Sequence, residues 1–217
     1  MLLLTYGLVV IAGLISEAFI AMGFYPEVHH EVIDLLEPVL AKERWAASDW
    51  IFILFIIISV IWIAPLLEEV TFRLFLRYRL QNVLTSLTLQ LLFFASLFEV
   101  SADDPWVVAT GISIGLLIGS GALWLARHRR GQVRLRRWWH RQFPLVYYYS
   151  AIAFGVTHFA AYGLTESALW FTPIILLPII VMGLTFGFVR IRYGMWYAIL
   201  LHSAINIIGI TAILLTF

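Results

Sequence analysis

Apolar residues in this chain run in long unbroken blocks, and polar residues come in short bursts between them. The blocks lie at about Leu2–Phe24, Trp50–Leu67, Val83–Phe98, Trp106–Ala126, Pro144–Tyr162, Ala168–Val189 and Met195–Phe217. Each approaches the ~20 residues a helix needs to cross a bilayer. None carries the alternation over about 10 residues that marks a barrel strand. The pattern predicts an all-α polytopic transmembrane helical bundle of about seven spans, forming a single membrane-embedded domain over residues 1–217. Residues 1–49 hold the first span and an outer stretch, and residues 50–217 hold the core. The first block has no basic leader and no small-residue cleavage site, so it reads as a retained helix. Between Tyr25 and Asp49 the positions Val28, Val32, Leu35, Leu36, Val39 and Leu40 form one stripe, which predicts an amphipathic helix lying at the membrane surface.

Composition agrees with the pattern. The chain is 62% hydrophobic and 12% charged, with mean hydropathy +0.94. A soluble domain would be near half apolar and about a quarter charged. There are no cysteines, which excludes a thiol nucleophile, a disulfide framework and thiolate metal ligands.

The net charge of +1 decides little, but the placement of charge decides much. Of the 14 Lys and Arg residues, all but Lys42 and Arg44 follow the second, fourth and sixth blocks. By the positive-inside rule that side is cytoplasmic, so a protein of the cell membrane is expected, with its amino terminus inside and its carboxyl terminus outside. The densest run, residues 127–141, reads as a basic loop touching anionic lipids. Trp138 and Trp139 within it suit a membrane interface better than a nucleic-acid stacking platform. His128 and His140 in that loop, and His29 and His30 in the outer stretch, read as solvated. Glu17, towards the outer end of the first block, reads as an interface group. Gly183, Gly187 and Gly194 point to close helix packing or a turn.

Candidate chemistry sits where charge is costly. Glu68 and Glu69 end the second block, and ionisable groups in spanning segments mark functional sites by default. On a helix Glu69 meets Arg73 at i,i+4. Glu68 is turned by roughly 100° from its neighbour, onto the face of Phe72 and Phe75, with no local cation. Phe154 and His158 share a face in the fifth block, as do His202 and Asn206 in the seventh. A carboxylate, two imidazoles and a carboxamide suit hydrolysis. The carboxylate takes a proton from water, a histidine positions that water, and the remaining donors hold an oxyanion. The chain has no G-x-S-x-G elbow and no H-E-x-x-H helix. A divalent metal among Glu68, His158 and His202 is the minor alternative, and no cofactor is expected.

E-E-x-x-x-R at Glu68 to Arg73, F-x-x-x-H at Phe154 to His158 and H-x-x-x-N at His202 to Asn206 resemble the three motifs of the CPBP (Abi) membrane proteins. This is the CAAX-protease and bacteriocin-processing family, which includes the Rce1-type prenyl-protein endopeptidases. The resemblance covers roughly Trp50 to the end. It implies glutamate-dependent intramembrane proteolysis of a membrane-anchored peptide or protein. In that reading Glu68 is the catalytic glutamate, His158 helps to activate water, and His202 and Asn206 hold the oxyanion. Glu69, Arg73 and Phe154 support them. The competing class is a non-enzymatic membrane protein, either a proton-relay transporter or a partner-binding immunity protein. A relay built on an inverted repeat would show matching halves, and no convincing repeat is visible.

Overall fold

The computed structural model describes residues 45–97, 127–158 and 172–216, with scattered positions at 36, 38, 39, 41, 42, 113, 115, 119–121, 124 and 125. The first block and the acidic stretch around Asp103 lie outside the described residues. The fourth block and the outer amphipathic stretch are described at isolated positions only.

Every ordered element among the described residues is helical. In chain order they are α1 (Ala47–Ile58), α2 (Ala64–Arg73), α3 (Leu80–Leu97), α4 (Arg129–Arg141), α5 (Phe143–Thr157), α6 (Thr172–Arg192) and α7 (Met195–Thr216). A wide turn of π-helix, Ser59–Ile63, joins α1 to α2, and a tight 3-10 turn, Leu74–Leu76, follows α2. These pieces make one continuous run, Ala47–Leu76, of 30 residues, whose most apolar 18-residue stretch has mean hydropathy 2.8, so it is long and apolar enough to cross a membrane. Leu80–Ala95, Phe143–Thr157 and Met195–Thr211 are shorter apolar helices. Trp50, Ile51, Leu54, Phe55 and Trp62 on this run are exposed, as are Leu145, Ile152, Trp196 and Leu200, while Glu69, Arg73, Ser86, Gln90 and His202 are buried. Large apolar groups outside and charges inside is the arrangement that lipid, not water, favours.

The π turn is explained by the sequence beside it. Ala64 N–H bonds back five residues to Ser59 O. Pro65 follows, within the first turn of α2, and has no N–H to continue the ladder. The helix therefore passes through Pro65 with a widened turn instead of a break.

α5 and α6 are the most intimate pair. A Cβ on Gly183 would stand 3.1 Å from Ala151 Cα, tighter than ordinary contact, so glycine favours this approach. A Cβ on Gly155 would reach Ile180 Cγ1 at 2.5 Å. Gly194, with φ +122°, makes the turn from α6 into α7, and its N–H bonds Val189 O.

The basic run differs from the loop expected over 127–141. It is mostly helix α4, with Trp139 buried, Gln132 and Leu135 half-buried, and Arg129, Arg130, Arg134, Arg136, Arg137 and Arg141 exposed. Arginine, leucine and glutamine are good helix formers, and the Gln132, Leu135, Trp139 spacing gives the helix one inward face. Trp139 packs edge-on against Phe75 at 5.9 Å and lies 5.6 Å from Tyr78. Arg77 donates to Ile191 O at 3.1 Å. The three basic stretches thus meet at one end of the bundle. Of the outer stretch, Leu36 and Val39 pack against Ile53 and Ile56 of α1.

Candidate functional site

Glu69 and Arg73 form the floor of the site. Their side chains are fully buried, and Arg73 Nη1 donates to Glu69 Oε1 at 2.9 Å, one helical turn apart as their spacing predicts. The guanidinium lies 3.9 Å over the Phe154 ring, a cation–π contact. His202 comes from α7 and stacks on Phe186, with centroids 4.5 Å apart. Its Nδ1 lies 3.1 Å from Glu69 Oε1 and its Nε2 lies 3.6 Å from Glu68 Oε2. One imidazole therefore stands between two adjacent carboxylates.

The two carboxylates are not equivalent. Glu69 Oε1 accepts from both Arg73 and His202. Each carboxylate has a buried Oε2 with no hydrogen-bond partner among the described residues, but Glu68 is 19% exposed at its side chain and Glu69 is 0%. Glu69 is held in place, and Glu68 is free to take a hydrogen. Helix continues from Glu68 to Leu76, which places Glu68 roughly 12 Å from the basic end at 1.5 Å per residue. His202 lies seven residues from Met195, roughly 10 Å by the same rise. The two levels match better than a helix ending at Leu67 would allow.

Phe154 is the hub. Its ring contacts Arg73, Phe72 at 5.9 Å, His158 at 4.6 Å, Phe186 at 6.2 Å and His202 at 5.8 Å. His158 caps α5 and its Nδ1 lies 2.8 Å from Phe154 O. A carbonyl only accepts, so Nδ1 carries the hydrogen and Nε2 keeps its lone pair in the neutral ring. Among the described residues His158 makes no ion pair with either carboxylate, and it reaches the cluster through Phe154. Asn206 Nδ2 donates to Val60 O at 2.8 Å, in the π turn, and among the described residues it makes no hydrogen bond to either carboxylate.

Sequence reasoning missed the residues that hold α2. The ladder of α2 stops at the tight turn after Arg73, and side chains from other helices take up its last carbonyls. Ser86 donates to Val70 O and Thr71 O, Gln90 to Thr71 O and Ser150 to Phe72 O. Arg190 Nε approaches Arg73 O at 3.4 Å. Tyr149 in turn donates to Gln90 Oε1 at 2.7 Å. The available signal was Ser86 and Gln90 at i,i+4 within an apolar block.

Among the described residues no three His, Asp or Glu side chains are disposed to hold a metal ion. The Arg73 guanidinium already stands against Glu69, where it opposes a second cation.

A helical bundle that keeps two carboxylates, an arginine and an imidazole together in its apolar interior has the parts of a membrane-embedded hydrolase. The family model described as Type II CAAX prenyl endopeptidase Rce1-like matches residues 49–208, so the chain belongs to the Rce1-like family. It is a membrane protein of a CAAX-type endopeptidase family. No curated protein and no solved structure matches the chain.

Proposed function

We propose that the chain is an intramembrane endopeptidase that hydrolyses a peptide bond of a membrane-associated substrate, prenylated or leader-bearing, near the cytoplasmic face. Glu68 takes a proton from water, with His158 Nε2 orienting that water. The water oxygen adds to the scissile carbonyl carbon. His202 and Asn206 hold the oxyanion, Asn206 through the second N–H of a carboxamide whose first is engaged by Val60. Glu68 then passes its proton to the leaving nitrogen as the C–N bond breaks, and acid and amine are released. Glu69 and Arg73 hold His202 and the helix, and Phe154 packs the imidazoles against them.

The observation that carries this reading is the difference between neighbouring carboxylates: Glu69 is fully buried with Oε1 tied to both Arg73 and His202, whereas Glu68 is 19% exposed and lies 3.6 Å from His202 Nε2. Membership of an endopeptidase family supports the reaction class. No cofactor enters the reaction.

The test incubates the purified protein with farnesylated, unprenylated and leader-bearing peptides in water enriched in oxygen-18. A single cut, with one heavy oxygen in the new carboxyl group, is the expected result. Failure to cleave any of these peptides, by a protein that remains folded, would count against the enzyme.

A further inference from the structure

Two adjoining hollows lie between α3 and α4, and neither is lined by Glu68, Glu69, Arg73, His158, His202 or Asn206. The larger, about 490 Å³, is apolar and is walled by Phe75, Val83, Leu84, Trp138, Trp139 and Val146 among others. The smaller, about 310 Å³, is framed by Tyr78, Gln132 and Arg136. Leu80 lines both, so an apolar space runs into a basic one.

Two buried donors at this place are unsatisfied. Tyr78 Oη and Trp139 Nε1 have no hydrogen-bond partner among the described residues. Buried donors without partners are costly, which points to a ligand that supplies acceptors. Burial pushes the Tyr78 hydroxyl above its usual pKa, against the opposite pull of Arg136, so it remains an O–H donor at neutral pH. The surrounding charge has one sign: residues 127–141 hold seven arginines and no acid. A ligand for this place needs an anionic, acceptor-rich head and an apolar tail.

We propose that the two hollows form one phospholipid site, with an acyl chain in the apolar hollow and the anionic phosphate held by Arg136 and Tyr78. A free phosphate would leave the larger space empty. An isoprenoid thioether would fill that space and leave Arg136 and Tyr78 unmatched. This site is separate from the hydrolytic cluster, and lipid retention is read without any substrate.

The test uses the full chain in detergent, mixed with phosphatidylglycerol or phosphatidylcholine, with retained lipid counted by native mass spectrometry. The wild type is expected to keep phosphatidylglycerol in preference to phosphatidylcholine. Arg136→Gln lowers that retention about tenfold, the scale of one charge-assisted contact. Tyr78→Phe, which keeps the ring, lowers it by a smaller factor, and Leu84→Trp, which fills the apolar hollow, removes both lipids. Arg134→Gln makes the same charge change outside the site and leaves retention near wild type. Equal losses in Arg134→Gln and Arg136→Gln would reduce the effect to general surface attraction and overturn the site. Displacement of bound phosphatidylglycerol by farnesyl-cysteine methyl ester, which has no phosphate, would assign the hollow to an isoprenoid and overturn it as well.

Discussion

Asn206 on α7 donates its Nδ2 hydrogen to the carbonyl of Val60, 2.8 Å away in the π turn of the long helical run. Five residues after Val60 stands Pro65, where the chain has no N–H to offer that carbonyl. The carboxamide supplies the donor that proline withholds, and it ties α7 to the helix carrying Glu68. Asn206→Ala is therefore expected to lower stability by about 1–2 kcal/mol, the scale of a buried carbonyl left unsatisfied. Pro65→Ala restores an N–H to this turn, so the cost of Asn206→Ala should shrink in that background. Thermal unfolding of the four proteins of this cycle measures the coupling. Strictly additive shifts would show that Asn206 does not act through the turn.

Arg73 is predicted to be more costly to lose alone than together with its partner. Arg73→Met strands the Glu69 carboxylate in a fully buried position, at a cost on the order of 3–5 kcal/mol. Adding Glu69→Gln to that variant recovers part of the loss. Arg73→Lys keeps the charge but not the planar stack on Phe154, so it falls between wild type and Arg73→Met. Melting temperatures in one detergent rank the four proteins. An Arg73→Met protein as stable as wild type would remove the ion pair from the account.

Gly183 is predicted to tolerate no large side chain. Gly183→Leu would drive a methylene into the Ala151 backbone and separate α5 from α6, at about 1–3 kcal/mol or more. Because α5 also carries Phe154, hydrolysis should fall along with stability. Crosslinking between cysteines placed on α5 and α6 would report the separation. Unchanged crosslinking would contradict the close approach.

The parts of this architecture legible in the sequence are those set by local periodicity. The apolar blocks gave helices at α3, α5, α6 and α7, with the starts of α3, α5 and α7 within three residues, and the i,i+4 spacing gave the Glu69–Arg73 pair. The glycine at 183 announced a close crossing. What was not legible depends on partners far along the chain. The polarity of Ser86, Gln90 and Ser150 has meaning only once the carbonyls of Val70, Thr71 and Phe72 are known to lack donors. The bond from Asn206 to Val60 O was not legible either, because its partner is a backbone carbonyl, and backbone carbonyls leave no mark in a sequence. The basic stretch looked like a loop because its charges hide the inward Gln132, Leu135, Trp139 face that makes it a helix.

In the proposed reaction Glu68, and not its neighbour, is the base that activates water. That role is tested most directly by measuring cleavage of a farnesylated peptide by wild type and Glu68→Gln, with melting temperature taken on the same samples. The expected result is a melting temperature near wild type and a rate lower by at least about 10²–10⁴, the contribution of a positioned general base. A folded Glu68→Gln protein that cuts at the wild-type rate would contradict it.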